Sequence, residues 1–460
     1  MQLSGLTQTV NTSEGGGIPA AIDGIPLFIG YSSSGTPETV YSFSDIDTLK
    51  SVLGSGPLVE AAARCLPGQV YCVPVTSDVA GVIGTITKTG SGPTITATGT
   101  PTDNGTILIK IATGGAVATA TFQYSLDNGA TWSQVTTTAA TFLVLPTGVT
   151  VAFVAGTYVA AEVYTIPLSA PGYSSAKLAS AFAAWIASTS SSEAEFLHIV
   201  GAAVDAAGAA TMATAVQTLL VNAFAQQCYM SAIEELPDLA ASSLTTALAN
   251  VDAYLVNAIG GYCDLVSSVT TRVNKRPAAH AIVRRAAQTK PHIHLGKVMD
   301  GGIDGVTKLY FDERATPTFT AGRVTSLRTR PKKAGFYVEA SKTLHGNTTH
   351  PLSDWHNVRV MLKAMRIAGA KLQDYINGDW DVKADGTLAD AVADMIESEV
   401  QTALDTGLSG NCSRVVFKLN RTDKVSLTEK FRSKVAVQVK AYSKWIENEV
   451  AAVRTITTSN

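Results

Sequence analysis

Charged residues are scarce in this chain, and basic residues are almost missing from residues 1–271. Asp, Glu, Lys and Arg make up 16% of the 460 residues, against 46% apolar residues. So small a charged fraction is low for a free globular protein, and it indicates that partners cover much of the surface. The length allows two or three domains.

The few charges are unevenly distributed. Residues 1–271 contain five basic side chains against eighteen acidic ones, whereas residues 272–460 contain thirty against nineteen. The two parts therefore carry −13 and +11, which fits a subunit that stacks on copies of itself or binds a charged partner. Nucleic acid is the rival partner for the basic part. We predict no nucleic-acid binding, because acidic residues are interspersed there and no aromatic–basic stacking motif occurs.

Cysteine is also rare, and long apolar runs are missing. The five cysteines are widely spaced without a CxxC pair, which argues against a disulfide framework or a zinc ribbon. No run of 18 uncharged apolar residues occurs, so we predict no stable membrane insertion. The first 17 residues have neither the basic region nor the apolar region of a signal peptide, which predicts that the protein first appears in a cytoplasm.

Signatures of catalysis are missing as well. The sequence has no G-x-S-x-G elbow, no Walker loop and no G-x-G-x-x-G, so we predict no enzyme activity and no cofactor. His292 and His294 alternate as two ligands on one strand face would, but no third ligand follows at a convincing spacing. His345, His350 and His356 cluster near a loop and a helix start, where capping or packing explains them. We therefore predict no metal site.

The chain begins with a segment rich in Gly, Ser and Thr, which predicts an extended arm over residues 1–24 with a hinge at residues 15–17. A β-α-α-β pattern follows, and strands alternate with helices again after residue 168. We predict a helix over residues 239–256 and a strand over 262–267 within this second part. Such alternation is typical of an α/β fold with a mainly parallel sheet and helices on both faces.

Residues 83–168 interrupt that pattern with short runs rich in Thr, Val and Ile, separated by turn signals such as Asp127-Asn128-Gly129. This spacing predicts an inserted all-β sandwich or barrel domain. Its aromatic residues have two interpretations, a sugar-binding site or core packing. They are Tyr124, Trp132, Phe142, Phe153 and Tyr164.

The end of the chain alternates in the manner of an exposed strand. Val435, Val437 and Val439 fall on one side of residues 434–441, and lysines fall on the other. A second, less regular alternation covers residues 446–453. Exposed strands at a chain end invite pairing with another subunit. The residues predicted to exchange between subunits are Val435, Val437, Val439, Ile446, Val450 and Val453, with Leu6 and Val10 from the N-terminal arm.

A basic stretch precedes the aromatic pair Phe336-Tyr337. We interpret Arg328, Arg330, Lys332 and Lys333 as charged contacts for assembly or for a tube. A solvated face, an acidic protein surface and nucleic acid are the alternatives for this stretch.

Several phrases, taken in order, resemble the contractile phage tail sheath family, which also occurs in phage-tail-like injection machines. An arm leads to IPLFIGY at residues 25–31, LGSGPL at 53–58 and the Y-x-V-P-V strand at 71–75. FQYSLDNGATW at residues 122–132 is similar to the variable β domains of some sheaths. AGFYV at 334–338 and NVRV at 357–360 look like the approach to the family's long C-terminal helix, whereas residues 272–330 show no clear match.

The resemblance implies a structural subunit that polymerises helically around an inner tube and contracts to drive the tube through a cell envelope. Its implied partners are copies of itself, the tube protein, and baseplate and tail terminator proteins, in a virion tail assembled in a host cytoplasm. The expected units are an arm (1–24), an α/β body (25–82 with 169–410), the β domain (83–168), and C-terminal strands with an arm (411–460). The alternative is a surface adhesin or binding module that acts through the β domain.

Overall fold

A computed structural model describes residues 23–201 and 204–442. The first strand has the sequence PLFIG and is buried along its whole length, as a continuous apolar run should be in a parallel sheet with two covered faces. Asp45 caps the first helix by accepting a hydrogen bond from Thr48 N (2.8 Å), and Gly54 follows the helix at φ 70°. The elements are β1 (Pro26–Gly30), β2 (Tyr41–Phe43), α1 (Ile46–Leu53), α2 (Pro57–Ala63) and β3 (Val70–Pro74).

The β segment, residues 83–168, forms two sheets around a core of its own. It leaves the body through a narrow stem, where Val79 and Gly172 form an antiparallel bridge and Asp78 accepts hydrogen bonds from Ser174. The sheets have the orders β4-β12-β7-β8-β9, with β5 also on β12, and β10-β11-β6. The strands are β4 (Val82–Ile83), β5 (Thr87–Thr89), β6 (Ile95–Gly99), β7 (Gly105–Thr113), β8 (Thr121–Ser125), β9 (Thr136–Thr137), β10 (Thr141–Val144), β11 (Val149–Phe153) and β12 (Val163–Ser169).

The remainder of the chain alternates strands and helices and then ends in a small separate sheet. Its helices are α3 (Ser175–Ala187), α4 (Ala206–Ala223), α5 (Ala241–Leu248), α6 (Ala278–Gln288), α7 (Trp355–Gln373), α8 (Asp390–Gly407) and α9 (Val425–Thr428). Its strands are β13 (Phe196–Val200), β14 (Ser231–Glu235), β15 (Val256–Ile259), β16 (Tyr262–Val266), β17 (Val273–Pro277), β18 (Val306–Leu309), β19 (Ser326–Arg330), β20 (Lys333–Glu339), β21 (Arg414–Leu419) and β22 (Ser433–Gln438). Short 3-10 helices cover Phe224–Gln226, Val298–Asp300 and Pro351–Ser353.

The central sheet has six strands in the order β15-β14-β13-β1-β3-β2. Neighbouring strands from β15 to β3 are parallel, and only β2 runs antiparallel to its neighbour. Helices α3, α4 and α5 pack on one face, and α1, α2 and α6 pack on the other. Helix α7 joins both faces, because Val358 and Leu362 pack with the first set and Trp355 packs with the second.

One helix of this fold, Ala206–Gln226, is long and apolar enough to cross a membrane by length and composition alone. In the structure it packs on the central sheet through Ala209, Met212, Val216 and Leu220, which are buried. Core helices of globular proteins commonly have this composition, so the helix is fully explained as a cover of the sheet.

The predicted helix over residues 239–256 needs correction, whereas the predicted strand over 262–267 is confirmed as β16, although it lies outside the central sheet. The helix ends at Leu248, and Val256–Ile259 forms the edge strand of the central sheet. Gly260 and Gly261 then reverse the chain, with Gly261 at φ 88°. Strand β16 therefore runs in a separate antiparallel sheet with β17 and β18.

Candidate assembly surface

The terminal sheet, made of β21 and β22, lies on α8, which satisfies one of its two edges. Gln401 of α8 accepts a hydrogen bond from Phe417 N (2.8 Å) and donates one to Val415 O (3.0 Å). Glu397 of the same helix accepts a hydrogen bond from Leu419 N (3.0 Å). Side chains of α8 thus take the place of a third strand along β21.

The other edge of the terminal sheet is open within the described residues. Asn420 N donates to Arg432 O (2.8 Å), and hydrogen-bonded pairs recur at every second residue of an antiparallel ladder. Lys434 and Ala436 therefore face β21, and the backbone N–H and C=O groups of Val435 and Val437 point away from it. An unpaired row of this kind is a template for a further strand.

The residues predicted for strand exchange divide into two groups. Val435 and Val437 lie in β22 with half-buried side chains that pack on the core beneath the sheet, and Val439 follows the end of the strand. The others lie outside the described residues: Ile446, Val450, Val453, Leu6 and Val10.

The acidic face of α8 is engaged by the chain itself. Glu397 accepts hydrogen bonds from Lys418 Nζ (2.7 Å) and Arg421 (2.9 Å), and Asp394 pairs with Arg421 (2.5 Å). Burial by itself would raise the pKa of Glu397, but these bonds and that from Leu419 N lower it to about 2. This network holds β21 on the helix and leaves little free acidic charge there for a neighbour.

The predicted basic cluster separates into two pairs on the β19–β20 hairpin. Arg328 and Arg330 both reach Glu339 (2.9 and 3.5 Å), and Arg330 also lies 5.9 Å from the Tyr337 ring centre. Lys332 and Lys333 lie at the exposed turn. The arginines thus stabilise the hairpin, whereas the two lysines are presented to solvent.

The histidines take part in packing. His292 Nδ1 lies 2.9 Å from Asn411 Oδ1, and the rings of His345 and His350 are 4.8 Å apart. Burial lowers the pKa of His292. Among residues 23–201 and 204–442, no group of three or more His, Cys, Asp or Glu side chains has a metal-binding arrangement.

The aromatic residues of the β segment pack mostly against one another. Phe142 meets Phe122 edge-on (5.1 Å between ring centres), and Phe153 and Tyr158 are 5.6 Å apart. Tyr164 is fully buried, and Trp132 lies under Lys110 (5.7 Å). Core packing therefore explains this set better than a sugar-binding platform does.

A buried arginine joins the β segment to the body. Arg276 donates to both carboxylate oxygens of Asp103 (2.6 Å each) and lies 3.7 Å from Glu60. This clamp borders a cavity of about 460 Å³ between the two parts of the molecule, with Arg272 and Asn274 also in its lining. The β segment is therefore held in a defined orientation.

Sequence reasoning missed this clamp and two other buried polar groups. Arg359 makes a two-pronged contact with Glu195 (2.6 and 2.8 Å), although both are at most 1% exposed. The signal for that pair is a charged residue inside the apolar stripe of α7, which requires a buried partner. In the second buried group, Glu235 lies 2.9 Å from both His198 and His280. No local sequence pattern indicates that these three residues come together.

A sequence comparison places the chain in a family. The model of the DUF2586 N-terminal domain matches residues 7–326, which is more than half of the chain. The chain belongs to the DUF2586 family. No curated protein matches it in sequence.

The fold is similar to known structures along almost the whole chain. A chain of the anti-feeding prophage baseplate matches with a TM-score of 0.52 and 12% identity, covering 98% of this chain and 99% of its own length. The sheath tail protein of Desulfitobacterium hafniense has a TM-score of 0.47 and 12% identity, over 95% of this chain and 100% of its own. The sheath tail protein Lin1278 of Listeria innocua has a TM-score of 0.47 and 10% identity, over 91% and 95%. Sheath tail proteins are thus among the solved structures that this chain resembles, as its sequence indicated.

Proposed function

We propose that this DUF2586 protein is a structural subunit of a contractile tail sheath. It polymerises helically around an inner tube and contracts to drive the tube through a cell envelope. The observation that carries the proposal is the terminal sheet. Its β22 edge is open within the described residues, and 98% of the chain matches the fold of a chain of the anti-feeding prophage baseplate.

In this proposal, strands of neighbouring subunits complete the terminal sheet. Val435 and Val437 direct their backbone groups to the open edge, so an arriving strand gains main-chain hydrogen bonds there. The predicted donors are the terminal segments that carry Leu6 and Val10 or Ile446, Val450 and Val453. Such bonds keep subunits connected while their bodies repack between two arrangements.

We assign the units as an arm (1–24), a body (25–82 with 169–410), an inserted β domain (83–168) and C-terminal strands with an arm (411–460). The narrow stem at Val79 and Gly172 supports the insertion, and the Arg276–Asp103 clamp supports a fixed, outward placement of the β domain. Contraction does not depend on the domain in this assignment.

A deletion variant tests that placement. Residues 80–171 are replaced by a short glycine linker, and Arg276→Leu is added so that no unpaired guanidinium remains buried. Burial already raises the pKa of Glu60, and removing Arg276 takes away an interaction that lowers it, so Glu60 is expected to be protonated in the variant. The folded variant is expected to assemble like the full chain, and failure to assemble would contradict the outward placement.

The partners in this proposal are further copies of the chain, an inner tube protein, and baseplate and tail terminator proteins. The exposed turn with Lys332 and Lys333 is our candidate contact to the tube or to a neighbour, because its charges are unpaired within the described residues. The protein acts as a structural component of a tail that is assembled in the host cytoplasm. No catalytic role is assigned to it.

Negative-stain electron microscopy of the purified chain, alone and co-expressed with a candidate inner tube protein, tests the function. Striated hollow sleeves in either preparation are the expected result. Uniform small particles in both preparations would contradict the proposal, and glycan-array binding by the same particles would favour an adhesin.

A further inference from the structure

The first and the last described residues of the chain are held by one face of helix α7. His356, Arg359 and Lys363 follow one another at spacings of three and four residues, so their side chains lie on the same side of the helix. His356 and Arg359 are each 1% exposed. Lys363 and His356 contact the two chain ends directly, and Arg359 acts through Glu195.

The N-terminal root, Asp23 and Gly24, is bound by Lys363 directly and by Arg359 through Glu195. Lys363 Nζ pairs with Asp23 (2.5 Å). Gly24 N donates to Glu195 Oε2 (2.5 Å), and Arg359 holds the same carboxylate. Gly24 has φ 86°, and a Cβ at that position would collide with the carbonyl oxygen of Ala287. The fit is close enough that only glycine is accepted.

The C-terminal root, Tyr442, is bound by the third. Its ring meets the His356 ring edge-on, with 4.4 Å between centres and an angle of 73°. The Tyr442 hydroxyl donates to the carbonyl oxygen of His292. His292 is itself fixed by Asn411, 2.9 Å from its Nδ1.

The two roots are connected through a few bonds. Arg359 donates to the carbonyl oxygens of Ala286 (3.1 Å) and Thr289 (3.2 Å). His292 follows Thr289 by three residues in the chain. Lys363 from the N-terminal side and Lys440 from the C-terminal side both act on the imidazole of His292, whose pKa burial and these charges lower. The roots are therefore neighbours, although about 420 residues of sequence separate them.

We propose that this face of α7, which we name the arm anchor (His356, Arg359 and Lys363), is a common attachment point for both terminal arms. The N-terminal arm continues into β1 of the central sheet, and α7 gives a second route by which pull on one arm reaches the other. The inference rests on the proposed function, in which both arms pair with neighbouring subunits. It adds that neighbours are connected from one α7 helix to the next.

Docking of the roots is tested on the full-length chain without assembly. Tyr442→Ala is expected to speed tryptic cleavage after Lys440 about five- to tenfold, because the edge-on aromatic contact is lost. His356→Ala leaves the cleaved sequence unchanged and is expected to act in the same direction. Lys363→Met is expected to speed hydrogen exchange at Gly24. Lys371→Met, on the same helix but paired with Asp374 and Glu399, is the matched control. Unchanged cleavage and exchange in these variants would refute the anchor.

Coupling is tested on assembled sleeves by their disassembly in urea. Tyr442→Ala and Lys363→Met are each expected to lower the urea concentration at which sleeves disassemble. The double variant is expected to disassemble at the same urea concentration as the less stable of the two single variants. Two contacts that act one after the other along the same connection behave in this way, because the weaker contact alone decides when the connection breaks. If the effects of the two substitutions add in the double variant, the common attachment is wrong. If the unmodified chain and its tube form no sleeves, the proposed function fails, and the cleavage experiment still decides whether the roots dock.

Discussion

The central sheet and the terminal sheet differ in how far the chain itself completes them. Beyond the central sheet's edge strand β15, Ile259 bridges to Thr325 and Ala253 bridges to Leu344. At the other edge, β2 has only three residues, too few to offer a long template. The terminal sheet has six residues in each of two strands, with α8 along one edge and no described partner along the other.

The side chains follow the same division. Strands β1 and β13 are buried at every position, because helices cover both faces of the central sheet. In β22, Val435 and Val437 alternate with exposed residues, because only one face of the terminal sheet packs on the core formed by α7 and α8. Within the described residues the central sheet is therefore completed by the chain itself, whereas in our proposal a strand from another subunit completes the terminal sheet.

The largest expected effect comes from removing the last segment. Truncation after Tyr442 leaves both sheets and the arm anchor intact but removes Ile446, Val450 and Val453. We expect no sleeves at concentrations at which the full chain assembles, together with an unchanged urea unfolding curve. Electron microscopy checks for sleeves, and circular dichroism in increasing urea checks the unfolding curve. Normal sleeves from the truncated chain would show that the open edge is completed by a different segment.

The next effect concerns the buried Glu195–Arg359 pair, which stabilises the body and also holds Gly24. Glu195→Gln leaves the Arg359 guanidinium buried without a carboxylate, which is expected to lower the free energy of unfolding by about 3–5 kcal/mol. The double variant Glu195→Gln with Arg359→Leu is expected to recover part of this loss. Urea unfolding of each variant measures the change.

An exposed ion pair gives the control for that experiment. Lys418 pairs with Glu397 while its side chain is 67% exposed. Lys418→Ala is therefore expected to change the free energy of unfolding by about 1 kcal/mol or less. Equal losses of unfolding free energy from Glu195→Gln and Lys418→Ala would mean that the buried ion pair contributes no more to stability than the exposed one.

Much of the difference between the central sheet and the terminal sheet can be predicted from the sequence. The continuous apolar run of β1 predicts a strand covered on both faces, and the alternation of Val435 and Val437 predicts an exposed one. The predicted helix over residues 239–256 was wrong at its end, because the short apolar run Val256–Ile259 fits a buried strand and a helix equally well. Length alone decides such cases, and four residues are too few.

Other features depend on contacts between distant residues. Gln401 and Glu397 look like ordinary polar positions of α8, and only the position of β21 gives them backbone groups to bind. Asp103 and Arg276 are 173 residues apart in the chain, so no local period links them. The alternation of β22 predicted an exposed strand, whereas nothing in the sequence indicated that α8 closes the other edge of the terminal sheet, along β21.

A pair of proline variants separates the backbone groups of β22 that face β21 from those that point away from it. Val437→Pro removes an N–H that points away from β21, so the chain is expected to fold normally, while sleeve formation requires about tenfold more protein because the added strand loses backbone hydrogen bonds. Ala436→Pro removes an N–H that faces β21 and is expected to destabilise the terminal sheet itself by about 1–3 kcal/mol. Sedimentation of sleeves and urea unfolding separate the two effects. If both variants behave alike, the assignment of the outward-facing groups is wrong.

The smallest effect is a dependence of the terminal sheet on pH. The pKa of Glu397 is lowered from 4.5 to about 2 in the folded chain, so the folded state holds its proton less tightly than the unfolded state. The stabilisation is therefore complete above about pH 4.5 and is lost as the pH falls towards 2. Hydrogen exchange at Leu419 N, which donates to Glu397, is expected to speed up over this range after correction for the intrinsic rate.

Glu397→Gln provides the control for this experiment, since an amide keeps the shape but cannot titrate. The variant is expected to exchange faster at neutral pH and to show a flatter pH profile at Leu419. Strand β13 of the central sheet serves as an internal reference, because it opens only when the whole body unfolds. An unchanged pH profile in the variant would mean that other carboxylates hold β21 on α8. The terminal sheet would then depend on the ion pair between Asp394 of α8 and Arg421, which follows β21.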